Sequence, residues 1–179
     1  MSKSPSVVMI GLGYIGLPTA ALIAQNKIAV HGVDINPSVV DTINLGKIHI
    51  VEPELDIAVA EAVKNGYLKA ATTPVEANAY LIVVPTPFKA KNEPDISFVE
   101  AATRAVLPLL KVNDLYIIES TSPIGTTEKM MQLIYAERPE LQDKLNIAYC
   151  PERVLPGNVM YELVNNDRVI GGVDEKSTE

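Results

Sequence analysis

The sequence of 179 residues is poor in cysteine and in basic residues. The single cysteine, Cys150, cannot form an internal disulfide framework, and without a Cys-x-x-Cys pair we expect no metal site. Lys and Arg number 15 against 22 Asp and Glu, so the net charge is −7. This balance argues against binding nucleic acid or an anionic membrane. An anionic ligand would have to be held locally, by backbone N–H groups.

Long apolar runs are also missing. No segment reaches the roughly 18 consecutive apolar residues that a membrane-spanning helix needs. The first five residues, Met1 to Pro5, carry neither an apolar core nor a cleavage site of a leader peptide. We therefore expect a soluble, cytoplasmic protein. The length suits one domain, and 47% hydrophobic residues are enough for a substantial core.

Predicted strands and helices alternate along the chain, which indicates a Rossmann-like α/β fold. We expect a doubly wound, mostly parallel sheet with helices on both faces. Apolar runs predict strands at 6–10, 28–33, 67–72, 79–84, 115–119, 146–149 and 168–172. The intervening segments predict helices at 17–24, 37–45, 55–64, 95–110 and 127–138, a short helical turn at 74–78, and a polar tail after the last strand.

A glycine-rich motif joins the first predicted strand to the first helix. It reads G-x-G-x-x-G, with glycines at Gly11, Gly13 and Gly16. Gly11 permits a tight turn, Gly13 allows a pyrophosphate to approach the backbone, and Gly16 allows the helix to pack closely on the strand. The start of the helix offers unpaired N–H groups and a positive dipole end to the phosphates. This context predicts a dinucleotide site.

Asp34 strengthens that prediction because it ends the second strand, 18 residues after Gly16. A carboxylate about 20 residues beyond the motif accepts hydrogen bonds from the adenosine ribose. It would repel a 2′-phosphate, so the sequence favours NAD over NADP. The alternative is a glycine-rich turn with an incidental acid, but strand, glycines, helix and acid all agree.

Further candidates follow the later strands, whose carboxyl ends meet at one edge of such a sheet. Thr86 is a hydroxyl on a stiff turn between two prolines, and either contacts the cofactor or is a plain turn residue. Thr121 and Thr127 flank the loop into a later helix, where Thr126 or Thr127 could be a cap. Glu152 could act as a base, or could be a solvated acid or a partner of Arg153. Cys150, at the end of an apolar strand, is better explained as a buried structural residue than as a nucleophile.

Five segments in order resemble the UDP-glucose/UDP-mannosamine dehydrogenase family. They are Gly11–Pro18, Val33–Asn36, Val84–Pro87, Glu119–Thr127 and Cys150–Arg153. The resemblance covers essentially the whole chain. It implies oxidation of C6 of a nucleotide sugar from alcohol to acid with two NAD per turnover, through a thioester on a cysteine. Cys150 does not match the motif of that nucleophile, and the family's central helix and sugar-binding domain have no counterpart here. Residues 1–179 are therefore expected to be the N-terminal NAD-binding domain of a longer enzyme.

The resemblance also implies roles for individual residues. The Tyr14 and Ile15 backbone would bind the pyrophosphate, Asp34 the ribose, and Thr86 and Thr127 the cofactor further along. Nearer the reacting carbon, Thr121 would position water or substrate, and Glu152 would be the base in thioester hydrolysis. Arg153 and Val154 would touch the nucleotide sugar.

Two segments point to a branch of the family. His49–Pro53 and Pro151–Gly157 resemble the branch that oxidises UDP-N-acetyl-D-mannosamine, whereas the UDP-glucose branch usually has Phe-Leu after Pro-Glu. UDP-N-acetylmannosamine is therefore the expected substrate, for surface polysaccharide synthesis, and the full enzyme is expected to be a homodimer or higher homo-oligomer. UDP-glucose or another UDP-sugar, a β-hydroxyacid substrate, and a non-catalytic NAD sensor remain the alternatives.

Overall fold

In the computed structural model, which describes residues 6–178, a single seven-stranded sheet forms the centre of the molecule. Its order is β3-β2-β1-β4-β5-β6-β7, and all neighbouring pairs are parallel except β6 and β7. The mostly parallel, doubly wound sheet predicted from the sequence is thus confirmed. The strands are β1 Ser6–Ile10, β2 Ala29–Val33, β3 Leu68–Ala71, β4 Ala79–Ile82, β5 Leu115–Ile118, β6 Asn146–Tyr149 and β7 Gly171–Gly172.

Between residues 6 and 178, seven α-helices connect or follow these strands. They are α1 Gly16–Gln25, α2 Pro37–Asn44, α3 Leu55–Lys64, α4 Ser97–Val106, α5 Thr126–Glu137, α6 Val159–Asn165 and α7 Glu175–Thr178. The start of α2 illustrates the local signals. The Asn36 side chain accepts a hydrogen bond from the Ser38 N–H at 3.0 Å, and Pro37 occupies the first turn, where its missing N–H has no cost.

Apolar residues cover both faces of the sheet. One core cluster packs α1, α2 and α3 against β1, β2 and β3, with Met9, Leu17 and Ile43 fully buried. The other lies under α4 and α5, with Tyr80 and Tyr116 fully buried. Because strands buried on both faces read as continuous apolar runs, the sequence pattern located them well.

The connections reverse direction between β1 and β4. The chain winds outward from β1 through β2 to β3, then returns to pair β4 on the other side of β1. At such a reversal the loops leaving two neighbouring strands diverge and leave a crevice at their carboxyl ends. The fold therefore places a crevice beside the glycine-rich loop.

The last part of the chain departs most from prediction. The strand predicted at 168–172 shrinks to two glycines, Gly171 and Gly172, paired antiparallel with β6. α6 and α7 were not predicted, because seven and four residues are too few to show a helical period. α7 lies directly against β7, and its Ser177 Oγ accepts a hydrogen bond from the Ile147 N–H at 3.1 Å.

One further prediction was wrong, and one predicted helix was too long. Residues 74–78 form no helical turn, because the Asn78 N–H donates to the Ser6 carbonyl and the Ala77 N–H to the Tyr80 hydroxyl. The helix predicted over 95–110 is α4 followed by a 3-10 turn, Leu107–Leu109, with a proline at its centre. The segment Met1 to Pro5, for which no leader peptide was predicted, lies outside the described residues.

Candidate functional site: a crevice at the carboxyl ends of the strands

A cavity of about 430 Å³ lies at the reversal between β1 and β4. Loops from the ends of β1, β2, β4, β5 and β6 line it. The lining includes most of the residues singled out in the sequence: Gly11, Gly13, Tyr14, Ile15, Asp34, Thr86, Thr121 and Glu152. Residues up to about 140 positions apart thus share one cavity, as strand ends of a parallel sheet do.

The three glycines of the first loop differ in the space around them. Gly11 has φ +98°, and a Cβ there would collide with the backbone of Val83. A Cβ on Gly16 would collide with the carbonyl oxygen of Gly11, so Gly16 is needed by the loop itself more than by the strand. A Cβ on Gly13 would meet nothing within 4 Å. Gly13 is therefore not required by the fold, and the open space above it is available to a ligand.

The loop leads into α1 with several of its backbone N–H groups unpaired. Intrahelical bonding begins with the Leu17 N–H donating to the Gly13 carbonyl at 3.1 Å. Among the described residues, no backbone carbonyl accepts from the N–H of Gly13, Tyr14 or Ile15. α1 also has no side-chain cap at Ile15. Unpaired donors at a helix start bind anionic oxygens, so this turn fits a pyrophosphate.

Asp34 faces these donors from the end of β2. Its Oδ2 accepts from the Leu12 N–H at 3.2 Å, and its Oδ1 accepts from the Asn36 N–H at 2.9 Å. Each carboxylate oxygen has a second lone pair for another donor. The fixed, half-buried carboxylate can therefore still accept hydrogen bonds from both hydroxyls of a ribose.

The loops after β4 and β5 are joined by short hydrogen bonds. The Thr86 hydroxyl donates to the Thr121 carbonyl at 2.6 Å, and the Ser120 hydroxyl donates to the Val84 carbonyl at 2.7 Å. The Thr86 oxygen keeps lone pairs for a cofactor donor. The Thr121 side chain is exposed at the rim of the crevice, where it can reach a substrate.

Arg168 organises the far wall of the crevice. Its guanidinium forms ion pairs with Glu119 Oε1, at 3.2 Å, and with Glu152 Oε2. It also lies 3.7 Å from the Cys150 sulfur. The second oxygen of Glu152 accepts from the Arg153 N–H at 2.7 Å. Glu152 is thus not a solvated acid: its side chain is 8% exposed and oriented by Arg168.

Two groups beside Arg168 have altered acidity. Burial raises the pKa of the Glu119 carboxyl above its ordinary value, and the positive charge of Arg168 opposes that shift. Oε2 of Glu119 is buried and has no hydrogen-bond partner among the described residues. Burial likewise raises the pKa of the Cys150 thiol. A buried thiol that holds its proton is a poor nucleophile, which agrees with a structural Cys150.

The remaining candidates lie outside the crevice. Arg153 is exposed and lines a neighbouring depression of about 300 Å³, where it donates to the Asp167 carbonyl at 3.1 Å. Val154 is half-buried beside it. Thr127 lies in the first turn of α5 and lines a separate depression with Gly171 and Gly172. Thr126, not Thr127, bonds back to the Pro123 carbonyl, at 2.8 Å.

The sequence analysis missed Arg168 and gave no role to Glu119. Arg168 was assigned to the start of a strand, and its partners lie 16 and 49 residues away. The sequence offered one signal: Arg168 begins one predicted strand, and another predicted strand ends in Glu119.

In the described residues no group of three or more His, Cys, Asp or Glu could hold a metal ion. The described helices include none long and apolar enough to cross a membrane.

The site fits NAD on its own geometry. The open space at Gly13, the unpaired N–H groups of Tyr14 and Ile15, and the free lone pairs of Asp34 match a pyrophosphate followed by a ribose. An acid at the ribose position disfavours the 2′-phosphate of NADP. The crevice continues past Thr86 to Thr121 and Glu152, where a nicotinamide would meet its substrate.

Comparison with known proteins agrees with this geometry. The chain is 58% identical over 176 residues to the UDP-N-acetyl-D-mannosamine dehydrogenase of Escherichia coli (strain K12), covering 94% of this chain and 42% of that protein. It is 52% identical over 182 residues to an NDP-N-acetyl-D-galactosaminuronic acid dehydrogenase of Ralstonia nicotianae, covering 97% and 43%. The structure of a UDP-D-ManNAc dehydrogenase from Pyrococcus horikoshii matches with 41% identity and TM-score 0.89, covering 96% and 42%.

The chain therefore spans less than half the length of the curated relatives it matches. The matched regions cover nearly all of this chain. The family model for the NAD binding domain of the UDP-glucose/GDP-mannose dehydrogenases matches residues 5–179. This match, together with the glycine loop, Asp34 and the crevice between them, shows that the chain belongs to the UDP-glucose/GDP-mannose dehydrogenase family and represents its NAD-binding domain.

Proposed function

We propose that this chain is the N-terminal, NAD-binding part of a longer nucleotide-sugar 6-dehydrogenase whose substrate is UDP-N-acetyl-D-mannosamine. The central helix, the sugar-binding domain and the nucleophilic cysteine belong to the region that this sequence does not contain. The observation that carries the proposal is the single crevice that joins the glycine loop and Asp34 to Thr121 and Glu152. It combines a dinucleotide cradle with hydroxyl and carboxylate groups suited to the reacting end.

On the cofactor side, the N–H groups of Tyr14 and Ile15 bind the pyrophosphate, and Asp34 accepts from the adenosine ribose. Thr86 contacts the cofactor further along the crevice, since its hydroxyl is fixed by the Thr121 carbonyl. Thr127 completes the cofactor contacts. It lies in a separate depression, so this last role depends on how far the ligand extends past the Ser122–Gly125 loop. When bound, NAD supplies a hydride acceptor.

On the substrate side, Thr121 positions the sugar or a water molecule, and Glu152 takes a proton from the water that hydrolyses the thioester. Arg168 holds Glu152 in place for that step. Arg153 contacts the nucleotide sugar from the adjoining depression, and Val154, the next residue in the chain, contacts it as well. Oxidation of an alcohol to a carboxylic acid removes two hydrides and takes up one water, so each sugar yields two NADH.

The sugar is tested by the yield of NADH from the complete gene product with excess NAD. UDP-N-acetylmannosamine and UDP-glucose are supplied in turn. We expect two NADH per UDP-N-acetylmannosamine and little from UDP-glucose. A third arm uses UDP-N-acetylgalactosamine, because one relative at 52% identity is named for a galactosaminuronic acid.

The other outcomes distinguish the alternatives. A preference for UDP-glucose or UDP-N-acetylgalactosamine would support the proposed reaction but contradict the proposed substrate. One NADH per substrate with a β-hydroxyacid would indicate that other class of dehydrogenase. NAD binding without NADH from any substrate would indicate a sensor. The 179-residue chain alone is expected to bind NAD weakly and to produce no NADH.

We further propose that the complete enzyme acts in the cytoplasm as a homodimer or higher homo-oligomer. Its one cysteine within this chain is buried and free, which suits a reducing compartment. Light scattering of the purified gene product, coupled to size exclusion, tests the assembly. A monomeric mass would contradict this part of the proposal.

A further inference from the structure

Carboxylates hold the segment Pro151–Gly157, which follows β6 and carries three of the residues proposed for catalysis and substrate binding. Alternate backbone N–H groups of this segment each donate to a different glutamate: Arg153 to Glu152 at 2.7 Å, Leu155 to Glu162 at 2.9 Å, and Gly157 to Glu52 at 2.7 Å. The segment contains no helix or strand of its own. Its position is therefore set largely by these side chains.

Glu52 differs from the other two glutamates in origin and burial. Glu152 belongs to the segment and Glu162 to the following α6, whereas Glu52 lies in the link between α2 and α3, 105 residues before Gly157. Its residue is 4% exposed. Its second oxygen lies 3.5 Å from the N–H of Val159, the first residue of α6. Glu52 thus ties the segment to a distant part of the fold.

A buried carboxylate in this arrangement is costly unless its hydrogen bonds are made. Here the donors are backbone N–H groups, which cannot move without moving the chain. Gly157 has φ +91°, a backbone conformation that glycine adopts without strain and that brings its N–H to Glu52. Displacing Glu52 would leave two buried or half-buried donors without their acceptor and release this end of the segment.

The other end of the segment is held by Arg168, through Glu152. Between the two anchors lie Arg153 and Val154, the residues proposed to contact the nucleotide sugar. Within residues 6–178, the Arg153 guanidinium makes one hydrogen bond across the depression, to the Asp167 carbonyl. The reach of its guanidinium into that depression therefore depends on where the two anchored ends hold the backbone.

We propose that Glu52 is a positioning residue for the nucleotide-sugar loop and so a determinant of sugar affinity, an inference that rests on the proposed function. It acts through the backbone of Gly157 and Val159, not by touching substrate. The cofactor loop, Gly11–Gly16, is held by different contacts. Loss of Glu52 should therefore affect the sugar and spare NAD.

The test is Glu52→Gln in the complete gene product. The amide keeps one acceptor oxygen but places an NH2 donor against a backbone N–H donor. We expect KM for the nucleotide sugar to rise about tenfold, in line with loss of one charge-assisted hydrogen bond, while Kd for NAD stays within about twofold. Glu54→Gln is the matched control, because it makes the same change two residues away on an exposed side chain.

Glu52→Asp provides a second test if the glutamine variant fails to fold. It keeps the charge but shortens the reach, so we expect a smaller rise in sugar KM. An unchanged sugar KM in either folded variant, or an equal loss of NAD affinity, would overturn the proposal.

Hydrogen exchange of the Gly157 and Val159 amides separates this inference from the proposed function. Faster exchange at both amides in Glu52→Gln, but not in Glu54→Gln, supports the anchor whatever the substrate is. If the unsubstituted protein produces no NADH from any nucleotide sugar, the proposed function fails while the exchange data still report on the anchor. Unchanged exchange would refute the anchor itself.

Discussion

The carboxylate of Asp34 accepts a hydrogen bond from the backbone N–H of Leu12, 3.2 Å away. The acid at the end of β2 is thereby attached to the middle of the glycine loop after β1. The two halves of the proposed cofactor cradle, one for phosphate and one for ribose, are therefore directly connected within the protein. A pre-organised cradle loses less entropy when it binds.

Replacing Asp34 by Asn should weaken NAD binding about tenfold and reduce the preference for NAD over NADP. The amide loses the charge that repels a 2′-phosphate, and its NH2 group faces a backbone donor. Titration of the chain with each cofactor, by calorimetry, measures both effects. Asp41→Asn, on the exposed side of α2, is the control and should leave both affinities unchanged. If the Asp34 variant and the unsubstituted chain bound NAD with equal affinity, the assignment of Asp34 to the cofactor site would be wrong.

Gly13→Ala should weaken NAD binding without harming the fold. The added methyl group meets no protein atom within 4 Å but occupies the space assigned to the pyrophosphate. We expect the melting temperature to stay within about 2 °C of the unsubstituted chain, and Kd for NAD to rise at least about tenfold. Retained NAD affinity would mean that the phosphates lie elsewhere.

Gly16→Ala should give the opposite result, a loss of stability. Alanine is the better helix former by about 1 kcal/mol, yet here its methyl group would collide with the Gly11 carbonyl. We expect the free energy of unfolding to fall by about 1–3 kcal/mol, as for overpacked cores. Urea denaturation measures it. A gain in stability would show that the loop yields to the methyl group.

The thiol of Cys150 should not react with Ellman's reagent in the folded chain. Burial raises its pKa and blocks access, and Arg168 lies against the sulfur. Because the chain has no other cysteine, the reaction reports this residue alone. The same sample unfolded in urea is the control and should react fully. Rapid reaction in the folded chain would reopen the possibility of a reactive cysteine.

Glu119 should make stability depend on pH. Burial raises the pKa of its carboxyl above the ordinary 4.5, so the folded state holds the proton more tightly than the unfolded state. Its contribution to stability is complete below the unfolded pKa and is lost as pH rises through the folded pKa. Glu119→Gln cannot titrate at this position. The free energy of unfolding of the unsubstituted chain, minus that of the variant, should therefore decrease as pH rises above the ordinary value of 4.5.

Urea denaturation at several pH values measures this difference. Glu61→Gln, an exposed substitution on α3, serves as the control for generic charge effects. A difference for Glu119→Gln that stays constant or increases with pH would contradict the prediction.

The sequence predicted the sheet and the cofactor cradle because their signals are local. Gly11, Gly13 and Asp34 lie within one strand-helix-strand unit, and their spacing is dictated by the length of α1. That Thr86 and Thr121 approach each other also follows from topology, since both come directly after parallel strands. A direct hydrogen bond between them, however, could not be read from the residue types.

The rest depended on contacts between distant segments. Glu52 and Gly157 were each part of a segment that pointed to the same family branch, but no spacing rule joins residues 105 positions apart. Arg168 was assigned to a strand because Val169 and Ile170 follow it, whereas both are exposed in the structure. These long-range contacts lie on either side of α6, which is itself too short to predict from the sequence. They could therefore be identified only in the structure.

Gly172 of β7 affects whether this edge of the sheet can pair with a strand of a second molecule. An open sheet edge presents free N–H and C=O groups that can recruit a strand from a second molecule. Here the Ile147 amide is occupied by Ser177, and α7 lies so close to Gly172 that any side chain there would displace it. The absence of a side chain at Gly172 thus lets a single turn of helix cover this end of the sheet edge, which hinders strand-to-strand aggregation there.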